Sequence, residues 1–287
     1  MKRFLLQSLV FTFFTTICFI IFWLIVCSNR DKALKLPDNT NIVFLGNSHF
    51  STGINDTIIQ KSFNFARSAD NLEHTYIKVK LLKKYNPNID TIIISYDDNM
   101  MNNLDFVSGM NSPIFYDFYS FRDIYSLFKF SNREYISEHI AYPFDWFKLL
   151  QIFTSEKITD MTNIGGDSFL YQPLNDSSMT QRKVYTKDKF DDLSICFLDK
   201  IVNFCDKNNI CLIFMYTPMH KKFIQNKYFY KQFYNNNYSQ IKFYDFRNKY
   251  LADSCFRDLH HLNYKGAKVF SEFLEKEVLH KQNYPIK

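Results

Sequence analysis

Glycine is scarce in this chain, with 6 residues in 287. Glycine is the default wherever a backbone must turn sharply or approach another closely, so the few that occur are informative. Three of them, Gly46, Gly53 and Gly266, fall in two short blocks near opposite ends of the sequence. Long runs of one charge are also missing. The formal net charge is +6, but lysines alternate with acids along the chain, which excludes a nucleic-acid footprint. This mild positive balance fits a solvated surface or an attraction to anionic glycans or lipid head groups. Metal-ligand spacing is absent: His49, His220, His260 and Asp258 form no recognisable pair, and neither a metal nor any other cofactor is expected. The cysteines outline no disulfide framework. Cys196 and Cys205 lie nine apart on one helical stretch and face opposite ways, Cys211 is expected in a buried strand, and a Cys211–Cys255 bridge has no support. No internal repeat is visible.

What is present is apolar and aromatic. Hydrophobic residues make up 46% of the chain, with 32 Phe and 19 Tyr, enough to bury the core of one large domain. The Phe, Tyr, Asn and Lys bias has the look of an AT-rich bacterial genome. Lys2 and Arg3 precede an uncharged stretch, Phe4–Ser28. About 22 such residues at 1.5 Å each span roughly 33 Å, the thickness of a bilayer's hydrocarbon core. The apolar core is longer than a cleaved signal peptide requires, and Val26 disfavours lipidation of Cys27. Residues 1–28 are therefore expected to be a transmembrane anchor, in contact with lipid through Phe4–Ser28. Residues 29–40 read as a polar linker and residues 41–287 as the folded domain. The flanking charges leave orientation open: Lys2 and Arg3 lie on one side, and Arg30, Lys32 and Lys35 on the other.

Within the domain, Ile42–Leu45 reads as a buried strand that stops at Gly46 and runs into Asn47-Ser48-His49. A sharp turn after a strand can hold a serine Oγ clear of the backbone at the top of a sheet. Thr57–Phe63 is expected to form a short helix, followed by a strand over Ser62–Phe65 that ends in Ala66-Arg67-Ser68-Ala69-Asp70. The spacing of Leu72, Tyr76, Val79 and Leu82 predicts a helix to Tyr85, stopped by Asn86-Pro87. Thr91–Ser95 is a strand buried on both faces. Strands and helices alternating over so short a span imply a parallel sheet with crossover helices. Residues 100–190 lose this rhythm and read as an aromatic-rich helical insertion, with Trp146 and Gly165-Gly166 as landmarks. Its aromatics fit a core or a sugar-binding cleft. The alternation returns with a helix over Leu193–Lys207, a strand over Ile210–Tyr216, a helix over Lys222–Tyr234, a strand over Ile241–Phe246 and a last helix over Asn263–Leu279.

Just before that last helix stands Asp258-Leu259-His260-His261-Leu262-Asn263, followed by Gly266-Ala267. A serine is a weak nucleophile until a histidine takes its proton, and an aspartate fixes that histidine's tautomer. Ser48, Asp258 and His261 supply the three groups, both blocks lying at the carboxyl edge of the sheet where ligands bind in open parallel folds. The plainer alternative is a serine in a turn and an aspartate or asparagine capping a helix.

Together, the Gly-Asn-Ser block and the Asp-x-x-His-Leu-Asn-x-x-Gly block resemble the SGNH/GDSL hydrolase superfamily. The likeness is closest to membrane-anchored bacterial members related to polysaccharide O-acetyltransferases and D-alanyl transfer proteins, and it covers roughly residues 40–100 and 190–280. It implies an α/β, three-layer flavodoxin-like fold and a Ser48–His261–Asp258 triad. The domain would lie outside the cytoplasm on the bacterial plasma membrane. The substrate would be an acylated polysaccharide or other ester, with a membrane acyltransferase as a possible partner. It also implies an oxyanion hole from the Ser48 N–H, a backbone N–H after the second strand and an asparagine after the third. The matching positions around the site are Gly46, Asn47, Ala69 and Asn99. Here the sequence departs from the family: Asn47 replaces an aspartate, no glycine follows the second strand, and Asn99 lacks its usual setting. Two functions follow: an esterase or O-acyltransferase, or a catalytically inactive protein of the same fold that binds or assembles glycan.

Overall fold

The computed structural model describes residues 2–97, 100–101, 119–130, 168–175, 190–223 and 227–279. Five strands, β1 (Ile42–Leu45), β2 (Ser62–Asn64), β3 (Thr91–Ser95), β4 (Cys211–Tyr216) and β5 (Lys242–Asp245), form one parallel sheet in the order β2-β1-β3-β4-β5. This is the flavodoxin-like doubly wound order, whose direction of winding reverses between β1 and β3. The helices in chain order are α1 (Lys2–Ala33), α2 (Ser48–Gly53), α3 (Leu72–Tyr85), α4 (Phe121–Phe130), α5 (Asp192–Lys207), α6 (Lys227–Asn237) and α7 (Tyr264–Phe273), the last continuing as a π turn over Leu274–Leu279.

The strands separate the core by alternation, because successive side chains point to opposite faces. Val43, Leu45, Ile92, Ile94, Leu212 and Phe214 join one buried cluster with residues of α3 and α5. Ile42, Phe44, Ile93, Ile213 and Met215 join another with Phe50 of α2 and Phe270 of α7. Helices on both faces explain why these strands read as unbroken apolar runs. The two edge strands are exceptions: β5 has no fully buried residue, and β2 buries only Asn64.

Several sequence expectations need correction. The helix expected over Thr57–Phe63 does not form: Thr57–Lys61 are turns, and Ser62 and Phe63 belong to β2. The Asn55 side chain accepts hydrogen bonds from the Thr57 N–H (3.1 Å) and hydroxyl (2.6 Å), and Lys61 takes a left-handed φ of 56°. Such side-chain bonds compete with a helix. Cys211 opens its strand and is exposed, while Cys255 is buried, and both are free. The helix expected from Lys222 is described from Lys227. Of the insertion, α4 and residues 168–175 are described; Trp146, Gly165 and Gly166 lie outside the described residues. Phe121, Tyr125 and Phe128 of α4 are exposed, whereas Tyr119 and Phe130 pack on the first cluster.

The junction to the N-terminal helix also differs from the expected linker. The stretch Lys2–Ile25 has a mean hydropathy of 2.4 and is long and apolar enough to cross a membrane. It is compatible with a single-pass anchor or a signal sequence. The helix continues to Ala33, and Leu34, Leu36 and Thr40 are then buried in the domain. The Asn86 side chain, at the end of α3, donates to the Leu34 carbonyl (2.8 Å) and accepts from the Leu36 N–H (2.7 Å). Residues 34–40 are thus a docked segment.

Two of the scarce glycines are dictated by space. Gly46 has a φ of 149°, and a Cβ there would lie 2.5 Å from the Ser95 Cβ. A Cβ on Gly266 would collide with the Cys255 carbonyl oxygen. At Gly53 the nearest atom would be 3.6 Å away, an ordinary contact. Gly46→Ala and Gly266→Ala are each expected to cost about 2–3 kcal/mol of stability, from strain and overpacking. Gly53→Ala should stay within about 1 kcal/mol of the parent. Urea unfolding of the three variants checks this ranking, and equal effects at all three positions would contradict it.

Candidate active site

The candidate site lies where the strand order reverses. Asn47 follows β1 and caps α2, its side-chain oxygen accepting the His49 N–H at 3.0 Å. This cap starts the helix at Ser48, so Ser48 sits on its first turn rather than in an open glycine turn. On the other side, Phe256 and Leu262 bridge as antiparallel partners, closing a tight loop that carries Asp258 and His261. Asn263 then caps α7, accepting the Gly266 N–H (3.1 Å) and donating to the Ser254 and Phe256 carbonyls.

These two segments, 213 residues apart, meet at hydrogen-bond distance: His261 Nε2 lies 2.9 Å from Ser48 Oγ. His261 Nδ1 faces both Asp258 oxygens, at 3.1 and 3.0 Å. Asp258 Oδ1 also accepts the backbone N–H groups of His260 and His261, both at 2.8 Å. Burial alone would raise the Asp258 pKa, but the hydrogen bond and charge of His261 and these two N–H groups outweigh it and hold the carboxyl well below the usual carboxylate range. An ionised Asp258 beside Nδ1 selects the tautomer protonated there, leaving Nε2 to accept the serine proton. The side chains of His261 and Asp258 keep 23% and 27% exposure, so the arrangement opens to solvent.

Behind it lies a carboxylate that the sequence did not single out. Asp97, at the end of β3, is fully buried. It accepts both contacts of the Asn47 amide (2.8 and 3.0 Å), the Ser95 hydroxyl and the Met100 N–H (3.1 Å). His49 Nδ1 stands 3.2 Å from its other oxygen. Burial opposes the charge on Asp97, and His49, Ser95 and the Met100 N–H lower its pKa nonetheless. The His49 ring meets that of His261 edge to face at 5.2 Å and stacks against Tyr216 at 6.3 Å. His49 is therefore part of the wall behind His261. The only signal available from the sequence was the polar Asp97 directly after a strand buried on both faces.

The proposed oxyanion positions divide accordingly. Asn47 and Gly46 are buried; Asn47 is committed to Asp97 and the helix cap, and Gly46 to close packing against Ser95, so both position Ser48 rather than line the cleft. Asn47 also explains the departure from an aspartate there, since a carboxylate at that position would face Asp97 directly. Ala69 adopts a left-handed φ of 64°, a conformation glycine takes at least cost, in a loop tied to the nucleophile block by Arg67 N–H→Gly46 O (2.9 Å) and a Ser51–Ser68 hydroxyl contact (3.4 Å). The buried Lys78 ammonium holds this loop from behind through Asp70 and the Phe65 carbonyl. Asn99 lies outside the described residues. His260 packs on Phe223 at 4.5 Å, away from the Ser48 contact. His220 is buried against Phe256 and faces Asp253.

A family model of an uncharacterised protein family matches residues 171–283, a span that contains Asp258 and His261 but not Ser48. No curated protein and no solved structure matches the chain.

The two lowered carboxylates of the site, Asp97 and Asp258, contribute to a pH dependence. A group whose folded pKa is depressed stabilises the fold above its unfolded pKa of about 3.9, and that contribution is lost as pH falls through the folded value. Stability is therefore expected to decline below about pH 4. Asp258→Asn should make that decline shallower while lowering stability near neutrality. Urea titrations between acidic and neutral pH measure both, and parallel curves for parent and variant would refute the assignment.

Proposed function

We propose that this chain is an SGNH-type serine esterase or O-acyltransferase, anchored by α1 in the bacterial plasma membrane with its α/β domain outside the cytoplasm. Its substrate would be an acyl ester on a cell-envelope or exported polysaccharide. The observation that carries the reading is the unbroken line from Asp258 through His261 to the Ser48 hydroxyl, at 3.0 and 2.9 Å.

The chemistry follows from these positions. His261 Nε2 takes the Ser48 proton as Oγ attacks the ester carbonyl carbon. Negative charge develops on the carbonyl oxygen, and preorganised N–H donors are worth most at that point. The Ser48 N–H heads α2, where no intrahelical acceptor exists for it, and the Ser68–Ala69 turn lies alongside. The bond to the leaving alcohol then breaks, and His261 returns the proton to that alcohol. Ser48 is left acylated. Water or a sugar hydroxyl, deprotonated by the same histidine, next attacks the acyl carbon; the acyl bond to Ser48 Oγ breaks, and His261 returns the proton to that oxygen. Asp258 stays ionised throughout, stabilising the imidazolium.

Labelling with a fluorophosphonate, read by intact mass, tests the reading. The full chain in detergent is the proper sample, because Leu34 and Leu36 are part of the core. The parent is expected to gain one adduct, and Ser48→Ala and His261→Ala none, with all three folded by circular dichroism. No adduct on the folded parent would overturn the esterase reading and favour a glycan-binding role.

A further inference from the structure

Next to the triad is a pair of aromatic rings that the chemistry above does not use. Tyr264 is the first residue of α7, three positions after His261, so its Cα lies within about 11 Å of the histidine's. It is 41% exposed, and Tyr171 stacks on it at 5.3 Å with planes 26° apart. Tyr171 itself is 75% exposed. Phe169 also meets Tyr264, edge to face at 5.4 Å.

The segment carrying Tyr171 is fastened at two points. The Ser168 N–H bonds to the Ser51 carbonyl on α2 (2.8 Å), and the Tyr264 N–H to the Leu170 carbonyl (2.8 Å). Ser51 lies one helical turn from the nucleophile, its hydroxyl contacting the Ser48 carbonyl. Pro173 restricts Gln172 to extended backbone, keeping the strand-like course of the segment. A flat ring stacked on a second ring has few rotamers left to lose, so ordering it on a ligand is inexpensive. Fixed aromatic faces with a polar hydroxyl rim suit ligands that are apolar on one face and polar at the edge. A pyranose ring has this character, with axial C–H bonds on one face and hydroxyls at its rim.

We infer that Tyr171 and Tyr264 form a sugar-stacking subsite that holds a pyranose ring of the polymer beside Ser48. This rests on the ester chemistry proposed above and names the part of the chain that selects a glycan over other esters. The platform supplies ground-state binding to the sugar and takes no part in proton transfer.

The test uses the full chain in nanodiscs and two readouts. The first is saturation-transfer NMR of partially O-acetylated chitotriose, cellotriose and maltotriose on the Ser48→Ala background, where no turnover occurs. Transfer to ring protons of at least one trisaccharide is expected, lost in Tyr171→Ala and Tyr264→Ala and kept in Tyr171→Trp. The second is ester hydrolysis with Ser48 intact. Tyr171→Ala should raise KM for the bound trisaccharide about tenfold with kcat little changed, while p-nitrophenyl acetate turnover stays within about twofold of the parent. Absence of transfer to all three sugars, or transfer that persists in both alanine variants, overturns the subsite. Loss of p-nitrophenyl acetate hydrolysis in the parent, with sugar transfer intact, would instead strike the esterase reading alone.

Discussion

The active edge depends on one buried charge, the Asp97 carboxylate. It stands at the end of β3 and is gripped from β1 by the Asn47 amide, from its own strand by Ser95, and from below by the Met100 N–H. A buried carboxylate is tolerable only when its lone pairs are met, and here these three neighbouring groups meet them. The same amide caps α2, so the condition that satisfies Asp97 also fixes where Ser48 begins its helix. Gly46 makes the arrangement possible, because β1 must come close to Ser95 for Asn47 to reach across.

Two imidazole–carboxylate pairs thus stand side by side, one buried and one open to solvent. His49 with Asp97 forms the wall, and His261 with Asp258 faces the cleft, the two rings meeting edge to face. Asp258 is held by local bonds within its own loop, while Asp97 is met by the nearby Ser95 and Met100 and also by Asn47 and His49, which follow another strand. The His261–Asp258 pair can therefore be formed by a short segment alone. The His49–Asp97 pair exists only once β1 and β3 have paired.

The segments flanking this centre are fastened with equal care. Residues 34–40 follow α1 and are docked on the domain through Asn86. On the open side, residues 168–171 are tied to α2 and to the start of α7. Residues 168–171 of the insertion, which has no clear periodicity in the sequence, therefore lie against α2 and the start of α7.

Local features of the fold were determined by the sequence alone. Continuous apolar runs specified β1, β3 and β4, since a strand covered on both faces needs no polar side. Asn71, Asp191 and Asn263 each precede a helix and cap it, and the Asp-x-x-His spacing sufficed for Asp258 to face His261, because two residues three apart in a tight turn meet without help from the rest of the chain. The tertiary structure alone decided the long-range partners. These are the contact of Ser48 with His261, the burial of Asp97 against Asn47 and His49, the left-handed Ala69, the docking of Leu34 and the stacking of Tyr171 on Tyr264. Short-range sterics and hydrogen bonds are written into a few neighbouring residues, whereas partners separated by fifty or more positions are set by strand register and packing, which no local pattern records.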